Sequence, residues 1–362
     1  MEKMLVVAVI FLVPLLLLLY MATYYCICSA KAGKWREKCH KSSINGSSKV
    51  TNFTPMSLVE VMVTLPTEVI FGDVIVAKKY DPPGLAQVPK TRLGEGTLGT
   101  LFKVVLDCGS TITMRMIREG LVGAETMEYW LNFFGGIRET WLLPMHFSFW
   151  YGGEAFILYD YLCLGSLEDL LHGSEGIQFT PLSWGVRKHL ALCAAKAVAF
   201  LHTQVTKTGQ LLVHGVIKSS NILISPDFSA CLSSYETPYL VSPSILIRRN
   251  PGRVAPELIR NTQKHTGVFT QESDVYSFGV LLLELITGKR PAVTNLGEYI
   301  LEKRKTEGLN GICDKRMGEV KEDMVEMLGI ARICLSRNPG DRPAMNRVVQ
   351  MIQDLQDQDF IF

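Results

Sequence analysis

The stretch LGEGTLGTLFKV sets Gly94, Gly96 and Gly99 in a G-x-G-x-x-G spacing, and the residues directly after it constrain the fold more than any other feature. A dinucleotide-binding fingerprint of this spacing closes a strand and opens a helix. Here Thr100 to Leu106 alternates as a strand does, and Thr111 to Ile117 alternates again after the turn residues Gly109 and Ser110. The glycines therefore sit in an antiparallel hairpin. Two readings stand at this point: the glycines let the backbone lie close over a phosphate group, or they only make a tight hairpin. A further strand-like run, EAFILYDYL, comes next, and helical periodicity takes over in RKHLALCAAKAVAFLHT and MNRVVQMIQDL. A strand-rich part ahead of a helix-rich part predicts an α+β chain with two lobes.

A different texture precedes this. No charge occurs between Lys3 and Lys31, and residues 4–25 are long and apolar enough to cross a ~30 Å hydrocarbon layer as a transmembrane helix. A cleaved signal would have a shorter apolar core. Lys31, Lys34, Arg36, Lys38 and Lys41 crowd one flank, which puts residues 1–3 outside and everything after the span in the cytosol. Residues 26–87 are expected to be a juxtamembrane linker, polar at first and broken by DPPG at Asp81–Gly84. Cys26, Cys28 and Cys39 are candidate palmitoylation sites. A net charge of +2 gives no bulk electrostatic case for nucleic acid. Nine scattered cysteines without a CxxC pair argue against a disulfide framework or a zinc site, so no metal site is expected from them.

Several motifs then fall in one order. GEGTLG is followed by LYDYLCLGSLEDLLHG at Leu158–Gly173, HGVIKSSNILIS at His214–Ser225 and APEL at Ala255–Leu258. SDVYSFGVLLLELITGKRP at Ser273–Pro291 and GDRPAM at Gly340–Met345 complete the series. Together they resemble a plant leucine-rich-repeat receptor-like protein kinase, as a catalytically degenerate member. The resemblance implies a bilobal protein kinase-like fold over residues 88–356, with a β-rich N-lobe to about 160, a helical C-lobe from about 161, and a tail at 357–362. Three residues precede the apolar span, so the repeat ectodomain common in that family is expected to be absent.

The resemblance also assigns roles, and the departures from it concern the chemistry. A kinase needs a lysine on the second hairpin strand, a glutamate on the next helix, a catalytic-loop aspartate as base and a D-F-G aspartate for Mg²⁺. At those places stand Arg115, Trp130, Val216 and Ser234. Gly215 replaces the arginine beside the base. His214, Lys218 and Asn221 of the catalytic loop are retained, as are Glu257, Asp274 and Arg342, which the resemblance makes structural. By family position Leu93, Gly94, Gly96, Gly99, Leu101, Thr113, Arg115, Tyr159 and Leu223 would line a nucleotide pocket. No cofactor is required, and ATP would have to bind without Mg²⁺. The function implied is that of a plasma-membrane pseudokinase. It would span the membrane once and act as a scaffold or modulator of active receptor-like kinases or their substrates. Two readings stand beside it: a nucleotide-binding switch, and a low-activity Ser/Thr kinase borrowing the carboxylate of Glu236.

Overall fold

The computed structural model describes residues 68–72, 84–85, 88–106, 109–173, 182–262 and 268–357. The expected membrane helix, the three residues before it, most of the linker and residues 358–362 lie outside the described residues. Among the described residues no helix is long and apolar enough to cross a membrane.

The first lobe is built on β1 (Glu68–Phe71), β2 (Lys90–Glu95), β3 (Gly99–Val105), β4 (Thr111–Ile117), the helix α1 (Ala124–Gly135), β5 (Met145–Tyr151) and β6 (Glu154–Asp160). These strands form one antiparallel sheet in the order β1-β5-β6-β4-β3-β2. Its centre, β6, buries both faces. Ala155, Ile157 and Tyr159 enter the main core, while Phe156 and Leu158 join Val104, Met114, Phe147 and Phe149 on the other side. That is the period-two alternation of a strand covered on both sides.

One boundary moves. Residues 68–71 fall inside the expected linker, yet they are the edge strand of this sheet, with Glu68 opposite Trp150. Ile70 is buried, and the Phe71 ring lies where a Cβ on Gly135 would stand, only 2.3 Å away. Four residues are too few for alternation to declare a strand, so pairing with β5 supplies what local pattern does not.

The second lobe contains α2 (Leu167–His172), α3 (Trp184–Thr203), the hairpin of β7 (Ile222–Ile224) and β8 (Ala230–Leu232), and the short helices α4 (Thr237–Leu240) and α5 (Pro243–Arg249). It continues with α6 (Pro256–Thr262), α7 (Gln271–Thr287), α8 (Leu296–Thr306), α9 (Leu309–Ile312), α10 (Glu322–Cys334) and α11 (Met345–Asp357). The last of these reaches residue 357, the first of the expected tail.

The helix α3 opens where the Ser183 hydroxyl accepts from the Val186 amide, and it is buried on most sides. Two cations go into the interior with it, each neutralised there: Arg187 by Asp314 at 2.8 Å and Lys188 by Asp323 at 2.6 Å. A reciprocal Thr270–Ser273 cap starts α7, and the left-handed Gly288 ends it. The β7–β8 hairpin is tied to the stretch entering β5, because the Leu232 amide donates to Trp141 and the Leu143 amide to Leu232. These two bonds fix the segment after β8 against the first lobe.

Candidate functional site

The sheet register places Arg115 in the middle of β4, opposite Leu101 on one side and Ile157 on the other. The residue is 8% exposed, and its side chain points to the segment that leaves β8. There Arg115 donates to Glu236 Oε1 at 3.0 Å and to the Ser234 hydroxyl at 2.9 Å. Tyr159 donates its hydroxyl to the same Glu236 oxygen at 3.1 Å. Glu236 is fully buried. Burial, and then the Glu236 charge, push the Tyr159 phenol well above its ordinary range, so it stays a donor. Ser234 itself adopts φ +67°, a left-handed conformation uncommon for a residue with a side chain.

Three of the replaced positions therefore meet in space or lie close by. Arg115 and Ser234 bond directly, and Val216 is buried on the neighbouring loop. Trp130 stands apart from Arg115. Its ring lies 4.2 Å from Tyr239 and stacks on Phe134, so the helix position expected for an acid is spent on an aromatic cluster. Glu128 accepts from the Trp150 indole instead.

The catalytic-loop residues are held by the scaffold. Asp274 accepts from the His214 amide at 2.6 Å, the Gly215 amide at 2.8 Å and His202 at 2.9 Å. His214 Nε2 lies 3.1 Å from the Ser233 carbonyl, and burial holds this imidazole below its usual range. Asn221 turns its amide nitrogen to the Val216 carbonyl at 3.5 Å. Lys218 bonds to the amide oxygen of Asn250 at 3.1 Å. Gly215 has φ +85°, and a Cβ there would lie 2.9 Å from Pro238. Further out, Arg342 makes two bonds to Glu257, at 2.6 and 2.8 Å.

Of the residues assigned to a nucleotide pocket, Tyr159 and Arg115 are locked into the Glu236 cluster. Thr113 pairs with Tyr159, and Leu101 and Leu223 are half-buried. Leu93 is 47% exposed. Gly94 sits in β2 opposite Leu101 and Gly96 is exposed at the turn, whereas Gly99 is pinned inside the sheet: a Cβ there would meet the Met116 carbonyl at 2.0 Å. Leu98, within the same loop, is 1% exposed and packs into the main core.

A magnesium–triphosphate group does not fit these residues. Mg²⁺ is held by carboxylate oxygens and phosphates in octahedral geometry. Val216 and Ser234 offer no carboxylate, and Glu236 close by already accepts from Arg115 and Tyr159. The sequence reading of Glu236 as a carboxylate for a metal thus meets an ion pair it did not contain. A signal for that pair was present. An arginine on the strand, with Trp130 at the helix position expected for its acid, leaves a cation that cannot be buried alone, and Glu236 is the first acid after Ser234.

The model of the protein tyrosine and serine/threonine kinase family matches residues 89–352. A probable inactive receptor kinase of Arabidopsis thaliana is 34% identical over 287 residues, 76% of this chain and 44% of the relative. The probable inactive receptor kinase RLK902 of the same plant is 32% identical over 88% of this chain and 50% of its own length. The chain thus spans about half the length of the curated relatives it matches. Among solved structures, the maize SIRK1 kinase domain bound to AMP-PNP superposes with a TM-score of 0.69 at 25% identity, covering 80% of this chain and 99% of that one. The pseudokinase domain of BIR2, an immune regulator of the RLK/Pelle family, gives 0.63 at 24% identity, over 81% and 91%. By motif order, fold and kinship together, the chain belongs to the protein tyrosine and serine/threonine kinase family, among plant receptor-like kinases.

Proposed function

We propose that this chain is a pseudokinase that works by binding rather than by phosphoryl transfer, as a membrane-anchored scaffold or modulator of active receptor-like kinases. The observation that carries this reading is the buried Arg115–Glu236 pair. It consumes the cation that would hold phosphates and the acid closest in sequence to the lost metal ligand, beside a loop whose base position is Val216. Phosphoryl transfer is almost wholly positioning and charge stabilisation, so losing both leaves the fold without its means. The relatives named as inactive receptor kinases support the same reading, and the apolar run at residues 4–25 supports the anchor. Radiolabelled ATP with Mg²⁺ or Mn²⁺ is expected to give no transfer above an Arg115→Ala variant of the full chain. Transfer that the variant abolishes would overturn the proposal. Proximity labelling at the membrane is expected to recover active receptor-like kinases.

A second reading, the nucleotide-controlled switch, is favoured by the retained spacing of Gly94, Gly96 and Gly99. It requires a thermal shift with ATP that survives EDTA. Ligand at 100 times its Kd adds about 2.7 kcal/mol, a shift of several degrees. The Arg115–Glu236 pair predicts no shift.

A further inference from the structure

Among the described residues, the cations that are buried in this molecule have carboxylates against them. Arg115 faces Glu236, Arg187 faces Asp314, Lys188 faces Asp323, Arg253 faces Glu284 and Arg342 faces Glu257, all within 3.0 Å. Lys218 breaks the pattern. It is half-buried in the cleft loop, and its hydrogen bond goes to a neutral atom, Asn250 Oδ1 at 3.1 Å. The Asn250 amide nitrogen donates to Leu246, which leaves its oxygen for the lysine. Around Lys218 stand Arg253, Arg115 and Arg249. Among the carboxylates of the described residues Glu168 acts most strongly on it, yet the lysine's hydrogen bond goes to Asn250. Burial, then the Arg253 guanidinium, pull the ammonium below its ordinary range, as expected for a cation among cations. Where the family pattern would place two acids stand Val216 and Ser234, and the carboxylates of Glu236 and Glu284 are already paired with Arg115 and Arg253.

Next to Asn250, Arg249 is exposed and reaches across to the glycine loop, 3.4 Å from the Gly96 carbonyl. A chain of contacts therefore runs from Lys218 through Asn250 to Arg249 and the loop tip. Among the described residues neither Lys218 nor Arg249 has a carboxylate partner, and the Arg249 charge acts on Lys218, so together they match the ≈ −1.5 to −2 charge of a phosphate monoester. In the deep part of the cleft Arg115 is neutralised by Glu236 and Leu98 is folded into the core.

We infer that Lys218 and Arg249 form a recognition site for a phosphorylated side chain on a partner protein. The inference rests on the reading of the cleft as catalytically silent. The chain would then dock on the product of an active kinase.

The test uses the full chain in lipid nanodiscs and a fluorescein-labelled degenerate peptide library with one central phosphoserine, against the same library with serine. The phosphorylated library is expected to bind at least tenfold tighter. Lys218→Met and Arg249→Ala should each remove most of that preference, about tenfold per contact, and added salt should weaken binding. Arg249 is exposed, so its variant keeps the fold, and melting curves of both variants confirm it. An amine-reactive label on Lys218, read by mass spectrometry, should be blocked by the phosphorylated library alone. Equal binding of both libraries, or a phosphate preference that survives both substitutions, overturns the inference and leaves the silent module standing. Displacement of the peptide by ATP with EDTA at comparable affinity also overturns it, by giving the site to a nucleotide. Phosphate transfer abolished by Arg115→Ala would instead overturn the reading beneath it.

Discussion

Glu236 accepts from Arg115 and Tyr159 through one oxygen, while its second oxygen and Arg115 Nε have no hydrogen-bond partner among the described residues. A buried pair of this kind is costly to break and cheap to replace. Glu236→Ala should therefore lose about 3–5 kcal/mol in urea denaturation, by stranding the guanidinium. The double variant Arg115→Met, Glu236→Leu should recover most of that loss. Recovery of less than half would mean that the pair adds more than mutual neutralisation. Tyr159→Phe removes one bond to a charged acceptor and should cost about 2 kcal/mol. At this scale the sequence showed which residues were missing, because Val216 and Ser234 sit at fixed spacings from Lys218 and Asn221. It did not show what Arg115 had acquired instead. That depends on a contact across 121 residues, which no local spacing encodes.

Single elements hold the cleft loop in shape. The first turn of α7 presents Asp274 to two backbone amides and a histidine, so Asp274→Asn sets an amide nitrogen against donors and should cost about 3 kcal/mol. Restoring the family's arginine by Gly215→Arg should destabilise by roughly 1–3 kcal/mol, since φ is +85° and Pro238 stands where Cβ would go. An unchanged melting temperature would show that the loop relaxes freely. Burial raises the Asp314 carboxyl, but hydrogen bonds from Arg316 and Arg187 overcome it and hold the pKa at about 2. A folded pKa below the ordinary carboxylate value gives stability that is present above pH ~4 and lost as pH falls through about 2. Asp314→Asn should flatten that acid limb in pH-dependent denaturation. The strands β3, β4 and β6 and the helices α3 and α11 could be read from alternation and 3.6-residue periodicity, because each is long enough to repeat its pattern. The short helices α4 and α5 could not, since seven residues or fewer are set by packing and capping.

At the scale of the molecule, the two lobes share one core. Ile117, Leu131, Ile157 and Tyr159 of the first belong to the same cluster as Ile217, Leu232 and Phe278 of the second. The motif order was enough to place this architecture, and the family match over residues 89–352 agrees with it. The start of the fold was not legible, because β1 becomes a strand only by pairing. That pairing has a consequence for how the protein behaves in solution. β1 closes the β5 edge, whose sequence is MHFSFWY. A protein shortened to begin at residue 88 would leave that row of amides and carbonyls open, with aromatic side chains alternating along it. An uncovered apolar edge is a template for strand addition between molecules. Such a fragment should self-associate in sedimentation velocity at concentrations where the chain retaining Glu68–Phe71 stays monodisperse, so the few residues ahead of the glycine loop act as a guard against aggregation.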